Sequence, residues 1–415
     1  MTDSAIVAGG GLAGLVAARH LAETGVETEL FEARDRLGGR VHSVNEGGYT
    51  FDRGFQVLFS SYPAVKRELD LGALDLRTFT PGATIARPGS RSTLSDPLRA
   101  PREALATVVN SEVRLADKLR VFRLQRRLAG DSFDAVLDRA DTSIRAYLAR
   151  EGFSERFVER FAAPFYGGIT LDRSLSTSSV VFEYTFKALA AGSIGVPAAG
   201  MGAIPRQLAA AARDAGASLH TGTTVEDVRP DGDGVVVTVD GEPREADAAV
   251  VATDPATAGE LTGVDTPTGA RGCVTQYFRL PGGELDTGRK LLLNAVDERP
   301  NHVAPMSAVA PEYTPDGETL LSAVFLGEQD ADDGTLADEV RAALGEWYPE
   351  RRFDAMELLR TDRVAFAQFG QPPGFRRDLP DVDAPEGPVY LAGDYTRWSS
   401  INAAMESGRT AALAV

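Results

Sequence analysis

The sequence predicts an α/β fold that opens with a βαβ unit on a parallel sheet, and three observations near its start support this. Residues 5–8 are apolar and lead into Gly9-Gly10-Gly11, as in a buried parallel strand that ends in a tight turn. Residues 12–24 carry apolar side chains at helical spacing, and Gly25 ends that helix. Residues 26–32 alternate as a second strand. These elements complete the start of a Rossmann-type unit within about thirty residues.

The rest of the chain predicts further strands and helices without an internal repeat. Residues 66–194 have a mainly helical pattern, clearest at 103–128, 134–150 and 176–191. Strands are predicted at 218–228, 235–239, 248–252 and 389–392, and further helices at 205–215, 335–347 and 401–414. The 415 residues exceed the usual size of one hydrophobic core, and no low-complexity linker divides them. We therefore expect two domains that interleave along the chain.

The composition limits the classes of partner. A net charge of -17 disfavours nucleic acids and anionic lipid surfaces as main partners, because both are negatively charged. The single cysteine, Cys273, excludes an intrachain disulfide, and a small buried side chain is favoured over a catalytic thiol. The histidines lack metal-ligand spacing, so no metal site is expected. No signal-peptide pattern and no apolar run of about 18 residues is found, which predicts a cytoplasmic chain without a transmembrane helix.

One stretch, residues 114–127, is basic within this acidic chain and carries six cations against Asp117 alone. Such a composition would suit a membrane surface. On a helical wheel, however, the apolar residues fall on two stripes, Leu115, Leu119 and Phe122 on one and Val121, Leu124 and Leu128 nearly opposite. Because a helix that lies on a membrane has one apolar face, we expect a helix packed on both stripes, with peripheral membrane contact as the less favoured alternative.

The first chemical motif is Gly9-x-Gly11-x-x-Gly14, with Glu32 at the end of the second strand. Gly9 permits the turn, Gly11 lets the backbone approach a pyrophosphate, and Gly14 allows the helix to pack closely on the strand. The helix N-terminus offers free N–H groups to the anion, and Glu32 can accept hydrogen bonds from ribose hydroxyls. The motif therefore predicts dinucleotide binding through Gly9, Gly10, Gly11, Leu12, Ala13, Gly14, Glu32 and Ala33; a purely structural glycine-rich turn is the alternative.

The motif continues to Arg40 as Glu-Ala-Arg-Asp-Arg-Leu-Gly-Gly-Arg. This extension resembles the superfamily of FAD-dependent amine oxidases, protoporphyrinogen oxidases and carotenoid (phytoene) desaturases. The resemblance implies that FAD is the cofactor, that Arg34 lies near its adenosine, and that Gly39 and Arg40 approach the pyrophosphate or the flavin. Guanidinium groups match phosphate geometry, and glycines let the chain pass close to a flat ring. A solvated basic loop is the alternative interpretation of these arginines.

Two further segments are similar to the same superfamily. The stretch Phe-Asp-Arg-Gly54-Phe55-Gln56 resembles the loop that lies beside the flavin, and residues 197–205 resemble the segment that returns the chain to the FAD domain. By this resemblance, the backbone of Val225 would contact the adenine, although a core strand explains Val225 equally well.

A third constellation lies near the C-terminus, where Gly393-Asp394 is followed by Ser-Ile401-Asn402-Ala403-Ala-Met-Glu-Ser-Gly. The resemblance implies that Asp394 holds a ribitol hydroxyl. It also implies that the helix beginning near Ile401, Asn402 and Ala403 points its N-terminus at the flavin pyrimidine edge. A helix N-terminus stabilises the negative charge of a reduced flavin.

The fold predicted from these motifs is a Rossmann-type FAD-binding domain interleaved with an α+β substrate domain. We assign residues 1–65, 195–262 and 385–415 to the FAD-binding domain, and residues 66–194 and 263–384 to the substrate domain. The C-terminal motif is closer to phytoene desaturases than to amine oxidases. In agreement with this, the predicted strand at 272–278 lacks the lysine that amine oxidases carry near the flavin.

The resemblance implies an FAD-dependent oxidoreductase that transfers a hydride from an apolar, isoprenoid or carotenoid-like substrate to flavin N5. The alternatives are an amine or porphyrinogen oxidase, an isomerase or mutase without net redox change, and a non-catalytic binding protein. Because the cofactor carries the chemistry, no catalytic residue is assigned. Phe55, Gln56, Tyr395 and Trp398 are candidates to line the flavin face. A second dinucleotide motif is not found, so the electron acceptor stays open.

Overall fold

The structure is a computed structural model that describes residues 2–95 and 114–415. Its described strands, in chain order, are β1 (Ser4–Ala8), β2 (Glu27–Glu32), β3 (Ser43–Glu46), β4 (Tyr49–Asp52), β5 (Leu58–Phe59), β6 (Leu76–Thr78), β7 (Gly82–Arg87), β8 (Ser90–Ser95), β9 (Ile194–Pro197), β10 (Ser218–Thr221), β11 (Val225–Asp231), β12 (Gly234–Val239), β13 (Glu242–Ala246), β14 (Ala248–Val251), β15 (Ala270–Arg279), β16 (Leu291–Asn294), β17 (His302–Pro305), β18 (Leu320–Leu326), β19 (Glu357–Phe369) and β20 (Val389–Leu391).

The described α-helices are α1 (Leu12–Glu23), α2 (Pro63–Glu68), α3 (Leu115–Ala129), α4 (Phe133–Leu137), α5 (Ile144–Arg150), α6 (Glu155–Phe157), α7 (Ala163–Thr170), α8 (Ser179–Ala191), α9 (Ala203–Asp214), α10 (Pro255–Thr262), α11 (Met306–Val309), α12 (Asp333–Trp347) and α13 (Ile401–Ala414). A π-helical turn, Val158–Ala162, joins α6 to α7, and short 3-10 turns lie at Pro311–Tyr313, Phe375–Arg377 and Asp394–Thr396.

A five-stranded parallel sheet confirms the predicted α/β class. Its strand order is β10-β2-β1-β14-β20, and every neighbouring pair runs parallel. The strands are short and apolar because both faces of the sheet are covered, β1 and β14 being almost fully buried. Beside this sheet, α1 packs against both α9 and α13. The sheet therefore collects strands from the beginning, the middle and the end of the chain.

The second large element is a seven-stranded mixed sheet in the order β19-β15-β18-β17-β16-β7-β8. Its strands come from parts of the chain between those of the parallel sheet. Helix α12 packs against it through a separate apolar core that contains Phe278, Phe325 and Trp347. A three-stranded antiparallel sheet, β11-β12-β13, follows β10. Strands of the parallel sheet and of the seven-stranded sheet alternate along the chain, and the predicted division into two domains stays a prediction.

Two predicted elements differ from those observed, and a third is described only in part. The first part of the predicted helix 103–128 lies outside the described residues, and the described part begins at Leu115. The predicted helix 134–150 is two helices, because the side chain of Ser143 accepts a hydrogen bond from the N–H of Ala146 and starts α5 anew. The predicted strand 218–228 is divided between two sheets, because Gly222 adopts a positive φ of 70° that bends the chain after β10.

Helix α3 also departs from the prediction that both of its apolar stripes are packed. Leu124 and Leu128 are buried as expected. By contrast, Leu115, Leu119 and Phe122 are 69%, 51% and 43% exposed. The wheel showed two apolar stripes correctly, but only one of them has a packing partner among the described residues. The prediction of a helix packed on both stripes was therefore wrong.

Candidate functional site

The glycine-rich turn between β1 and α1 has no room for a side chain at Gly9 or Gly14, whereas the space beside Gly11 is open. A β-carbon at Gly9 would lie 2.6 Å from the carbonyl oxygen of Ala252, and one at Gly14 would overlap the carbonyl oxygen of Gly9. Gly9 also has a φ of 106°, which favours glycine. Gly11 directly precedes α1 and provides no side-chain cap, so no capping side chain occupies the first N–H groups of the helix, which can bind an anion. The turn therefore has the shape of a phosphate cradle.

Glu32 organises this cradle from the end of β2. One oxygen of its carboxylate accepts a hydrogen bond of 2.8 Å from the N–H of Gly10, and the other accepts one of 2.9 Å from the N–H of Arg34. The side chain is buried to 8% exposure. Gly38 donates its N–H to the carbonyl oxygen of Gly10 at 2.8 Å. The segment that carries the arginines is thus held directly against the glycine-rich turn.

Arg40 and Asp394 connect the two ends of the chain. The guanidinium of Arg40 donates to the Asp394 carboxylate at 2.6 Å and to the carbonyl oxygen of Ala367 at 3.0 Å. Although desolvation opposes the charge of Arg40, the carboxylate raises the pKa of this guanidinium above its ordinary value. Asp394 is 3% exposed and also accepts a hydrogen bond of 2.8 Å from the hydroxyl of Ser399. The predicted ribitol-binding carboxylate therefore lies beside the predicted pyrophosphate or flavin arginine.

The N-terminus of α13 is anchored by two side chains. Ser400 accepts a hydrogen bond from the N–H of Ala403 at 2.9 Å and so caps the helix. The side chain of Asn402 accepts from the N–H of Ala64 at 2.9 Å and donates to the hydroxyl of Tyr184 at 3.1 Å. Asn402 thus fixes the position of the helix, and its amide is already committed to protein partners. The part of α13 that can contact a cofactor is therefore the backbone of its first turn.

Helices α1 and α13 pack so closely that a glycine is needed where they meet. A β-carbon at Gly408 would overlap the carbonyl oxygen of Ala13. This contact brings the first glycine-rich helix of the chain against its last helix. Together with the Arg40–Asp394 ion pair, it brings the predicted N-terminal and C-terminal motifs next to each other.

A cavity of about 1160 Å³ extends from this site to the helices between Leu115 and Ala191. Its inner wall near the glycine-rich turn includes Leu12, Arg34, Gly38, Arg40, Gly54, Phe55, Asp394 and Ile401. The volume exceeds the upper end of the range of about 300–1,000 Å³ that is usual for small-ligand sites. The cavity therefore has space for a large cofactor group and a second ligand together.

The far part of the cavity is lined by a row of aromatic rings that the sequence analysis missed. Successive rings lie 4.6–5.8 Å apart along Phe153, Phe157, Phe161, Phe165, Tyr166, Phe182 and Phe186. Four of these phenylalanines recur every fourth residue, the spacing of one helical face, which is the signal that could have identified them. Edge and offset contacts at such distances are favourable between aromatic rings. The row forms a continuous apolar wall.

Two buried side chains with titratable groups also line the cavity. Burial raises the pKa of the Cys273 thiol to about 11, so the thiol stays protonated near neutral pH, as expected of a packing residue. Burial lowers the pKa of His302 to about 4, so its imidazole stays neutral. The Nδ1 atom of His302 lies 3.0 Å from the side-chain amide of Asn301, and its ring contacts that of Phe55 at 4.9 Å.

The predicted flavin-face residues divide into two groups. Phe55, Gln56 and Trp398 line the cavity. Tyr395 is not among its lining residues, because its ring is fully buried and its hydroxyl donates to the carbonyl oxygen of Val251. Val225 also lies outside the cavity, at the start of β11. Two residues before Val225, the N–H of Thr223 donates to the carbonyl oxygen of Glu32. This hydrogen bond keeps the start of β11 close to the glycine-rich turn.

Comparison with known proteins identifies the family. The family model described as flavin containing amine oxidoreductase matches residues 12–415. The chain belongs to this family. It is 28% identical to a carotenoid phi-ring synthase of Streptomyces griseus, over 97% of this chain and 85% of that protein. It is 31% identical to a phytoene dehydrogenase of the same organism, over 61% of this chain and 54% of that protein.

Solved structures show the same fold as this flavin-containing family member. A putrescine oxidase has a TM-score of 0.70 at 18% identity, with 100% of this chain and 98% of that chain covered. Cyclohexylamine oxidase from Brevibacterium oxydans has a TM-score of 0.66 at 17% identity, with the same coverage of both chains. The predicted family, fold class and FAD cofactor are therefore confirmed, and the protein is an FAD-dependent oxidoreductase. Within the described residues, no helix is both long enough and apolar enough to cross a membrane.

The residues of this family member fit FAD at both ends of the cofactor. The glycine cradle and the uncapped start of α1 suit the pyrophosphate, and Glu32 suits the ribose hydroxyls. Asp394, which is buried, and Arg40, which is half-buried, present a pair of opposite charges near the start of α13, where a ribitol chain and a flavin edge would find hydrogen-bond partners. FAD supplies two-electron redox chemistry when it is bound, and these are the side chains that would hold and orient it.

Proposed function

We propose that the chain oxidises an extended, uncharged apolar substrate of the isoprenoid class at FAD. The observation that carries this proposal is the aromatic row between Phe153 and Phe186, which lines the same cavity as the Arg40–Asp394 pair. Such a wall excludes water from an apolar substrate and binds that substrate through van der Waals contact alone. The phytoene dehydrogenase and the carotenoid phi-ring synthase named above support a substrate of this class.

The charges of the cavity favour an uncharged ligand over an amine. In the part of the chain that the structure describes, the carboxylates that line it are Asp254, which accepts hydrogen bonds from Thr257 at the start of α10, and Asp394, which is paired with Arg40. Among the described residues, the aromatic row itself presents no carboxylate that would pair with an ammonium group. A buried cation without such a partner is costly. An amine substrate, although the fold is shared with putrescine oxidase, therefore has less support.

The direct test is anaerobic mixing of the FAD-loaded protein with candidate substrates while the flavin absorbance is recorded. We expect a long-chain isoprenoid hydrocarbon, delivered in detergent micelles, to bleach the flavin, and putrescine or cyclohexylamine to leave it oxidised. Bleaching by an amine alone would replace the proposal with amine oxidation. Conversion that requires dithionite-reduced protein and yields an isomer would replace it with an isomerase.

A matched pair of variants tests the aromatic wall itself. Phe161→Leu and Phe161→Asp both remove the ring, but only the second adds a charge to the wall. Desolvating that carboxylate against an apolar substrate costs several kcal/mol, so we expect KM to rise at least about tenfold in Phe161→Asp and little in Phe161→Leu. The FAD content of both variants serves as the control for folding. Equal KM values in the two variants would show that the substrate does not contact this wall.

A further inference from the structure

His302 faces the cavity from the seven-stranded sheet. It lies on β17, where the next residue, Val303, packs into the apolar core between this sheet and α12. Because side chains alternate along a strand, His302 points to the opposite face of the sheet. Its cross-strand neighbour Leu293 has the same orientation, and both residues line the cavity. The imidazole is 3% exposed, so its polar atoms must find their partners in the protein or in a ligand.

The hydrogen bonds of Asn301 decide which nitrogen of His302 carries the hydrogen. The side-chain oxygen of Asn301 accepts from the guanidinium of Arg173 at 3.1 Å, and its nitrogen donates to the carbonyl oxygen of Pro164 at 3.0 Å. A guanidinium can only donate and a carbonyl can only accept, so the orientation of this amide is fixed. The second hydrogen of the amide nitrogen is left for Nδ1 of His302, which lies 3.0 Å away and must therefore accept. In the neutral imidazole, the hydrogen consequently resides on Nε2.

The Nε2 atom of His302 is buried without a hydrogen-bond partner among the described residues. Burial lowers the pKa of the imidazole to about 4, so the neutral form with its hydrogen on Nε2 is the one present near neutral pH. Buried donors in folded proteins are nearly always paired, because an unpaired one is costly. The Nε2–H group therefore indicates an acceptor that a ligand brings into the cavity.

The position of the imidazole relates it to the aromatic row. Helix α7 carries Phe165 and Tyr166 of that row, and Gly168 on the same helix leaves room for His302, since a β-carbon there would lie 3.2 Å from Nδ1. The imidazole also contacts the ring of Phe55, with 4.9 Å between the ring centres. His302 thus contacts both the helix that carries part of the row and the segment that resembles the loop beside the flavin.

We infer that the Nε2–H of His302 donates a hydrogen bond to an oxygen atom of the substrate and so selects an isoprenoid that carries a carbonyl, hydroxyl or ether oxygen. This rests on the proposed function, and such an isoprenoid is still uncharged and mainly apolar. An acceptor oxygen satisfies the buried donor, whereas a hydrocarbon in the same place leaves it unpaired. A site built to hydrogen-bond one oxygen discriminates against the analogue that lacks it.

Equilibrium binding of tritiated squalene and squalene epoxide tests the inference, because these isoprenoids differ by one ether oxygen. Both are delivered in the same detergent to the FAD-loaded protein under argon. We expect the parent protein to bind the epoxide at least about fivefold more tightly than squalene. In His302→Phe, which removes the donor, the ratio of the two affinities should fall to about one. In His302→Gln, which places an amide donor near the position of Nε2, part of the preference should return.

Leu293→Met is the matched control, because it changes a cavity side chain on the same face of the sheet without adding or removing a donor. It should shift both affinities together and leave their ratio as in the parent protein. Since the ratios are compared in one detergent, the partition of the ligands into micelles cancels between variants. The FAD content is the control for folding, and His302→Met, whose flexible side chain adapts to its surroundings, is a second variant without a donor.

Three results would overturn the inference. The first is a parent protein that binds both compounds equally although a hydrocarbon still bleaches its flavin, which would leave the proposed function standing. The second is a preference for the epoxide that persists in His302→Phe and His302→Met. The third is a flavin spectrum that shifts in ligand-free His302→Phe and is restored in His302→Gln, which would assign the Nε2–H to the flavin. A parent protein that binds neither compound and is not bleached would refute the proposed function and this inference together.

Discussion

Substitution of Gly408 tests the close contact between the first and last helices, on which the site depends. In Gly408→Ala, the new β-carbon would overlap the carbonyl oxygen of Ala13 and would lie 2.9 Å from its carbonyl carbon. Carbon atoms in favourable contact lie about 3.5–4.0 Å apart, so the two helices must separate by roughly 1 Å. The atoms that must move belong to the backbone and cannot rotate away. The variant should therefore displace α1 from α13.

The expected cost follows from two opposing effects. Overpacking of a well-packed core costs about 1–3 kcal/mol, and a backbone clash belongs at the upper end of that range. Replacing a glycine inside a helix by alanine stabilises it by about 1 kcal/mol. We therefore expect the free energy of unfolding to fall by about 2 kcal/mol. Because α1 and α13 carry opposite ends of the FAD site, FAD affinity should fall at least about tenfold as well.

Urea unfolding of the apoprotein and fluorescence titration with FAD measure the two effects. Gly345→Ala is the matched control, because Gly345 lies within α12 and a β-carbon there meets no atom within 4 Å. That control should gain up to about 1 kcal/mol and keep its FAD affinity. If Gly408→Ala is as stable as Gly345→Ala and binds FAD equally well, the tight helix contact and the reasoning built on it are wrong.

Two further predictions concern charged and titratable side chains. Asp394→Asn keeps the shape of the side chain but removes the charge that faces Arg40, so the Kd for FAD should rise about tenfold, and an unchanged Kd in the titration would contradict the assigned role. His302 has a folded pKa of about 4, below its unfolded value of about 6.5, so its neutral form contributes stability that is lost as pH falls through this window. The parent protein should lose up to about 3 kcal/mol more than His302→Gln between these pH values, and parallel pH profiles in urea unfolding would refute the assignment.

The sequence predicted the parts of the site that depend on local pattern. The strand, the glycine-rich turn and the helix at 5–24 follow from burial and periodicity, and the structure places β1 and α1 there. The start of the C-terminal helix at Ile401 was predicted as well. These features are decided by neighbouring residues in the chain, so one sequence suffices to find them.

Features that depend on distant partners were predicted less well. The ion pair of Arg40 with Asp394 joins residues 354 positions apart, and only the family resemblance suggested that they share a site. Tyr395 was predicted to lie at the flavin face, but its hydroxyl donates a hydrogen bond to the carbonyl oxygen of Val251. The stripe of Leu115, Leu119 and Phe122 was expected to be packed, because a helical wheel shows apolar residues but not what covers them.

The aromatic row shows a different limit. Its phenylalanines are visible in the sequence, and their fourfold spacing was available, yet a helical apolar stripe is more often core than a ligand site. Only the position of the row beside the cavity distinguishes the two interpretations. Sequence pattern therefore identified which residues are apolar, and tertiary structure identified which apolar surface is left for a ligand.

The central claim is that both ends of the chain hold one FAD, and the flavin content of the purified protein tests it most directly. After reconstitution with excess FAD and removal of the unbound cofactor, the flavin released by denaturation should equal one per chain. Gly14→Val, whose β-carbon would overlap the carbonyl oxygen of Gly9 and so displace α1 from the glycine-rich turn, should release almost none. A parent protein that stays colourless after reconstitution would contradict the claim, as would a Gly14→Val variant that keeps its full flavin content.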